Sequence, residues 1–68
     1  MNAKMHDVAM YESYTVAQIS IVLQLEAAYQ LTEAASSSEE RAYFALQVKL
    51  LEKALSNAKI RREAYKNG

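Results

Sequence analysis

The residues able to do covalent or metal chemistry are few and scattered. His6 is the only histidine, there is no cysteine, and the single glycine is Gly68. Nucleophilic catalysis needs a nucleophile, an activating base and donors for developing charge, and these residues supply no such set. A di-metal bundle would need Glu-x-x-His pairs; Ala3 and Ala9 stand three residues to either side of His6. A phosphate-cradling loop needs glycines that the chain interior lacks. A non-enzymatic chain with no cofactor, no metal and no small-molecule substrate is therefore expected.

The more informative side chains are aromatic and basic. Tyr11 and Tyr14 lie near one end of the chain, and Arg61, Arg62 and Tyr65 near the other. Tyrosine and arginine are residue types that anchor protein interfaces. Brought together they form a partner site, or a cap on the core in which the arginines stack on the rings. Lys59, Arg62 and Lys66 also fall at helical spacing and form a basic strip suited to phosphates, or to the negative end of a helix.

Positioning these groups requires helices. Phe44, Val48, Leu51, Leu55, Ala58, Arg62 and Tyr65 follow at alternating steps of four and three, the period of a helix packing along a seam. Tyr43, Leu46, Leu50 and Ala54 make a second row beside it, an apolar face too wide for one neighbour. In the first half the best row is Tyr11, Tyr14, Gln18, Ile21, Leu25, Ala28, Thr32 and Ala35, flanked by Met10, Val22 and Tyr29. Val16, Ile19 and Leu23 fall roughly on the opposite side, so the middle of this helix is apolar nearly all round and calls for burial from more than one direction. Gln18 and Asn57 interrupt apolar rows, either to fix register or to mark a wet groove edge.

The stretch Ile19 to Leu25 alternates partly and is rich in β-branched residues, as a strand would be. No turn signal parts it from the helix-favouring Glu26-Ala27-Ala28, and no partner strand follows, so helix is the reading adopted. The run Ser36-Ser37-Ser38-Glu39-Glu40 punctuates the interior. Ser36 with Glu39, or Ser37 with Glu40, makes a capping box, and the glutamates suit the positive end of a helix.

The expected organisation is a flexible tail over residues 1–7, a helix over 8–35, a serine turn at 36–38 and a helix over 38–66 ending in Asn67-Gly68. So short a connection makes the helices antiparallel neighbours. Folding there brings Tyr11, Tyr14, Arg61, Arg62, Tyr65 and His6 to the open end. The core seam or the dimer seam is expected to hold Ile21, Val22, Leu25, Tyr29, Phe44, Val48, Leu51 and Leu55.

Sixty-eight residues fall below the size at which a lone core is comfortable, and no disulfide supplements it. The hairpin is expected to be completed as a homodimeric four-helix bundle. The net charge is zero, which gives no general nucleic-acid footprint. The sign is unevenly spread. Residues 1–48 carry Lys4 and Arg41 against Asp7, Glu12, Glu26, Glu33, Glu39 and Glu40, a net −4; residues 49–68 carry the balancing +4. No basic region, long apolar run and cleavage site opens the chain, so a cytoplasmic location off the membrane is expected.

In length and layout, over the whole chain but with no shared motif, this hairpin resembles the Rop family of plasmid copy-number regulators. It also resembles the small hairpin co-chaperones of type III secretion needle subunits. These resemblances imply either an RNA-binding regulator or a partner-binding co-chaperone. The leading expectation is an adaptor, co-chaperone or inhibitor that binds itself and another protein, with Tyr11, Tyr14, Val16, Ile19, Leu23, Arg61, Arg62 and Tyr65 as contacts. The alternatives are RNA binding through the basic strip, or a structural subunit of a larger assembly.

Overall fold

A computed structural model describes residues 2–66, with side chains from Met5 onward. Two helices, α1 (Asn2–Ala34) and α2 (Ser38–Ala64), pack against each other as an all-α hairpin. Thirty-three residues at 1.5 Å each make α1 about 50 Å long, and the molecule measures 55 × 14 × 12 Å. Its radius of gyration is 15.8 Å, against about 11 Å for a compact domain of this length. A rod this thin has little interior.

α1 begins six residues before the expected boundary at Val8 and takes in residues 2–7, which the sequence reading assigned to a flexible tail. Nothing in that stretch breaks a helix: it has neither glycine nor proline. It also gains a tertiary contact, because the His6 ring meets the Tyr65 ring edge-on, with centroids 6.2 Å apart. Met1 and the Asn67-Gly68 stop signal lie outside the described residues.

The serine run punctuates the chain as its chemistry requires. Ser37 is the N-cap of α2, with extended backbone at φ −135° and ψ 161°, and its hydroxyl accepts from the Glu40 amide at 3.1 Å. Glu40 reaches back, but one residue further than the box usually spans: its carboxylate accepts from the Ser36 amide at 3.0 Å and the Ser36 hydroxyl at 3.1 Å. Those two bonds hold the Glu40 carboxyl below its usual pKa range. Arg41 closes the turn, donating from Nη2 to the Ala35 carbonyl at 3.4 Å. At the far end α2 stops two residues before the expected Lys66. Its last turn tightens, with the Tyr65 amide on the Arg62 carbonyl at 3.0 Å and the Lys66 amide on Glu63 at 3.2 Å.

Between these ends lies the seam. Leu25, Ala28, Val48 and Ala58 are buried, and Ile21, Leu51 and Leu55 pack against the first three. The remaining members of the two expected rows, from Tyr11 to Ala35 and from Phe44 to Tyr65, are half-buried along the same line. Thr32 sits in this line without penalty because its hydroxyl donates to the Ala28 carbonyl at 2.8 Å. Gln18 does not: its Nε2 is buried with no hydrogen-bond partner. Val22 and Tyr29, expected in the core seam or the dimer seam, lie one step round the helix from the hairpin's own core and are 40% and 46% exposed. No helix among the described residues is long and apolar enough to cross a membrane.

Candidate interaction surfaces

The open end of the hairpin gathers the aromatic and basic residues that the sequence places there. α1 contributes Tyr11 and Tyr14, one turn apart on its seam face; α2 contributes Arg62, and its C-cap Tyr65 follows at the same spacing. Antiparallel packing then interleaves them. Tyr14 and Tyr65 stack with centroids 6.1 Å apart and planes within 16°. The Arg62 guanidinium carbon lies 5.0 Å from the centre of the Tyr11 ring, within cation–π range. All four are half-buried, so they close the end of the core.

This arrangement breaks up the basic strip. Arg62 faces inward over Tyr11, with its Nε buried and lacking a hydrogen-bond partner. Lys66 Nζ stands 3.9 Å from Glu63 Oε2. Arg61 turns away from Arg62 and borders a shallow hollow of about 280 Å³ with Tyr14, Ala17, Ala54, Asn57 and Ala58. The hollow exists because alanines meet across the helix pair, where their short side chains cannot fill the space between the backbones. Its volume falls just short of the range of small-molecule sites. Asn57 interrupts its apolar row as a groove edge would, but no row predicts the hollow itself; its signal is the register that sets Ala17 against Ala54 and Ala58. Among the described residues no group of three or more histidine, cysteine, aspartate or glutamate side chains could hold a metal ion.

The larger surfaces are apolar. Val16, Ile19 and Leu23 are exposed on the outer side of α1, and Tyr43, Leu46, Leu50 and Ile60 on the outer side of α2. Two contacts tell which broad face of the hairpin each stripe approaches. On one face the Tyr29 phenol donates to Glu52 Oε2 at 2.9 Å; the hollow between Ala17 and Ala54 marks the other. Exposed Val22 and Tyr29 extend the α1 stripe onto the first face, and Ala54 and Asn57 extend the α2 stripe onto the second. The Tyr29 pKa is raised, chiefly by that hydrogen bond, then by loss of solvent and by the charge of Glu52.

Comparison with family models, with curated proteins and with solved structures finds no match to this chain.

Proposed function

We propose that this chain is a small non-enzymatic interaction module, acting as an adaptor, co-chaperone or regulator by packing its outer helical faces against other helices. The observation that carries this reading is the balance of its apolar surface. Among the described residues four are buried, whereas twelve large apolar side chains, seven of them in the two outer stripes, are exposed. Contiguous apolar surface on this scale marks an association site. A second copy is the simplest partner: a homodimeric four-helix bundle is the closed form of such packing, and a longer assembly of copies is its open form. The tyrosine-arginine end would add a contact at its rim, and a cytoplasmic site of action belongs to the same proposal.

Substituting Leu23 or Ile19 by Glu tests the surface. Each variant is expected to stay helical by circular dichroism while losing association, read as solution mass and as co-purification of a partner from the native host. If either keeps both the wild-type mass and the partner, the surface is wrongly assigned. The RNA-binding alternative has less support, because Arg62 is engaged with Tyr11 and Lys66 lies against Glu63. It would show as retention on immobilised RNA that falls steeply with salt.

A further inference from the structure

Each outer stripe is a seam in its own right. On α1 the row Glu12, Val16, Ile19, Leu23, Glu26, Gln30 and Glu33 repeats at steps of four and three; on α2 so does Tyr43, Leu46, Leu50, Lys53, Asn57 and Ile60. Both have the spacing of a helix that packs along its whole length. All thirteen residues are exposed.

The stripes approach opposite broad faces of the hairpin, as the Tyr29–Glu52 bond and the Ala17–Ala54 hollow show. That placement bears on symmetry. A two-fold contact uses the same patch on both copies, so it sets α1 stripe on α1 stripe or α2 stripe on α2 stripe. One such contact cannot reach both faces, and it leaves one stripe of each copy bare. Both are covered either by two different two-fold contacts, each like on like, or by one repeated contact that sets the α1 stripe of one copy on the α2 stripe of the next.

Charge favours the unlike pairing. α1 carries Lys4 against Asp7, Glu12, Glu26 and Glu33, a net −3, and three of those glutamates lie in its outer row. Residues 38–66 carry Arg41, Lys49, Lys53, Lys59, Arg61, Arg62 and Lys66 against Glu39, Glu40, Glu52 and Glu63, a net +3, with Lys53 in the outer row. Two α1 stripes set three glutamates against three, whereas the unlike pairing sets those glutamates against the basic α2. The accessible surface is 5171 Å², roughly 900 Å² more than the 4,300 Å² or so expected of a folded monomer of this mass. A standard interface covers about 800 Å² on each partner.

Resting on the helix-packing reading above, we infer that copies of this chain join by a heterologous contact, the Val16-Ile19-Leu23 stripe of one on the Tyr43-Leu46-Leu50 stripe of the next. Each pair formed still presents one free stripe of each kind, so assembly continues past two copies.

Sedimentation equilibrium over a hundredfold concentration range tests the contact, with circular dichroism on every sample. Leu23→Lys spoils the α1 stripe and Leu50→Glu the α2 stripe, each with a charge that the opposing row repels. The wild type is expected to gain mass beyond a dimer as concentration rises. Each variant alone is expected to be a helical monomer, and an equimolar mixture of the two to form a 1:1 pair and stop there, because each retains the stripe the other has lost. A wild type that levels off at two copies, a Leu50→Glu chain that dimerises alone, or a mixture that stays monomeric would each overturn the contact. Should either variant lose its helicity, Ile19→Lys and Leu46→Glu repeat the experiment one turn away. A wild type that is a folded monomer throughout overturns copy-to-copy contact and leaves the interaction-module reading to its own partner test.

Discussion

Tyr29 on α1 donates a hydrogen bond of 2.9 Å to Glu52 on α2, the one side-chain hydrogen bond that joins the two helices among the described residues. The rest of the helix contact is apolar and aromatic packing, with Arg62 over the Tyr11 ring and the unpartnered Gln18 amide, and such contacts slide more easily than directional bonds. Tyr29 and Glu52 therefore act as a register pin on one face of a thin core.

The pin has a pH signature. The phenol's pKa is raised in the folded chain, so its contribution to stability is complete below the unfolded value of about 10. It is lost as pH rises through the higher folded value, because the unfolded chain gives up the proton first. Urea midpoints are expected to fall on the alkaline side of pH 9 in the wild type. In Tyr29→Phe that part of the decline should vanish, with a slightly lower midpoint at neutral pH. An unchanged alkaline slope would show that the bond does not persist in solution.

The serine turn titrates at the other end of the scale. Glu40, held by Ser36, has a lowered pKa, so its stabilising effect is present above the ordinary glutamate value of about 4.3 and disappears as pH falls through the lower folded value. Helicity near the turn should decline in acid, and Glu40→Gln should remove that dependence. Ser37→Ala deletes the cap itself and is expected to cost about 1 kcal/mol at any pH. Hydrogen exchange at the first amides of α2 resolves both effects.

Leu25 and Leu23 are two residues apart and should behave oppositely. Leu25 is 7% exposed within the small buried cluster, while Leu23 is 61% exposed on the outer stripe. Leu25→Ala is expected to cost about 2–3 kcal/mol of unfolding free energy, a large share of what a 68-residue chain can hold. Leu23→Ala should leave dilute samples nearly as stable as wild type and lower only the association measured at high concentration. Equal losses from both substitutions would mean that Leu23 is buried in the species that unfolds.

The contrast between these leucines also shows what the sequence could reveal. The four-three spacing placed Leu25, Val48 and Ala58 on the seam because helical period alone decides which residues share a line. The same arithmetic stopped short at Val22 and Tyr29, which lie one step from that line, where neither burial nor exposure is dictated until the partner helix is in place. Ser37 and Glu40 announced the turn through local chemistry, but not that the carboxylate would choose the amide of Ser36. The start of α1 was illegible for a different reason: nothing near Asp7 favours a break, and the ring that meets His6 comes from Tyr65 at the other end of the chain. The hollow beside Ala17 depended on the register between helices, which no single row of residues contains.

Gln18 is where that register carries a cost. Its amide nitrogen is buried between the helices with no hydrogen-bond partner, and an unsatisfied buried donor costs about 1–3 kcal/mol. Gln18→Leu removes the donor and adds apolar surface to the seam, so it is expected to stabilise the hairpin by about 1–2 kcal/mol in urea unfolding. Thr32→Val is the matched control. Its hydroxyl is already satisfied by the Ala28 carbonyl, and the change should move stability by less than about 1 kcal/mol. A polar residue inside an apolar row can also select one alignment over its neighbours. If Gln18 does so, the leucine variant will be more stable yet less uniform, with multiple resonances for the Tyr29 and Tyr65 rings where the wild type shows one set. If Gln18→Leu instead lowers stability, its amide is bonded in solution, and the seam is wetter at this layer than its geometry implies.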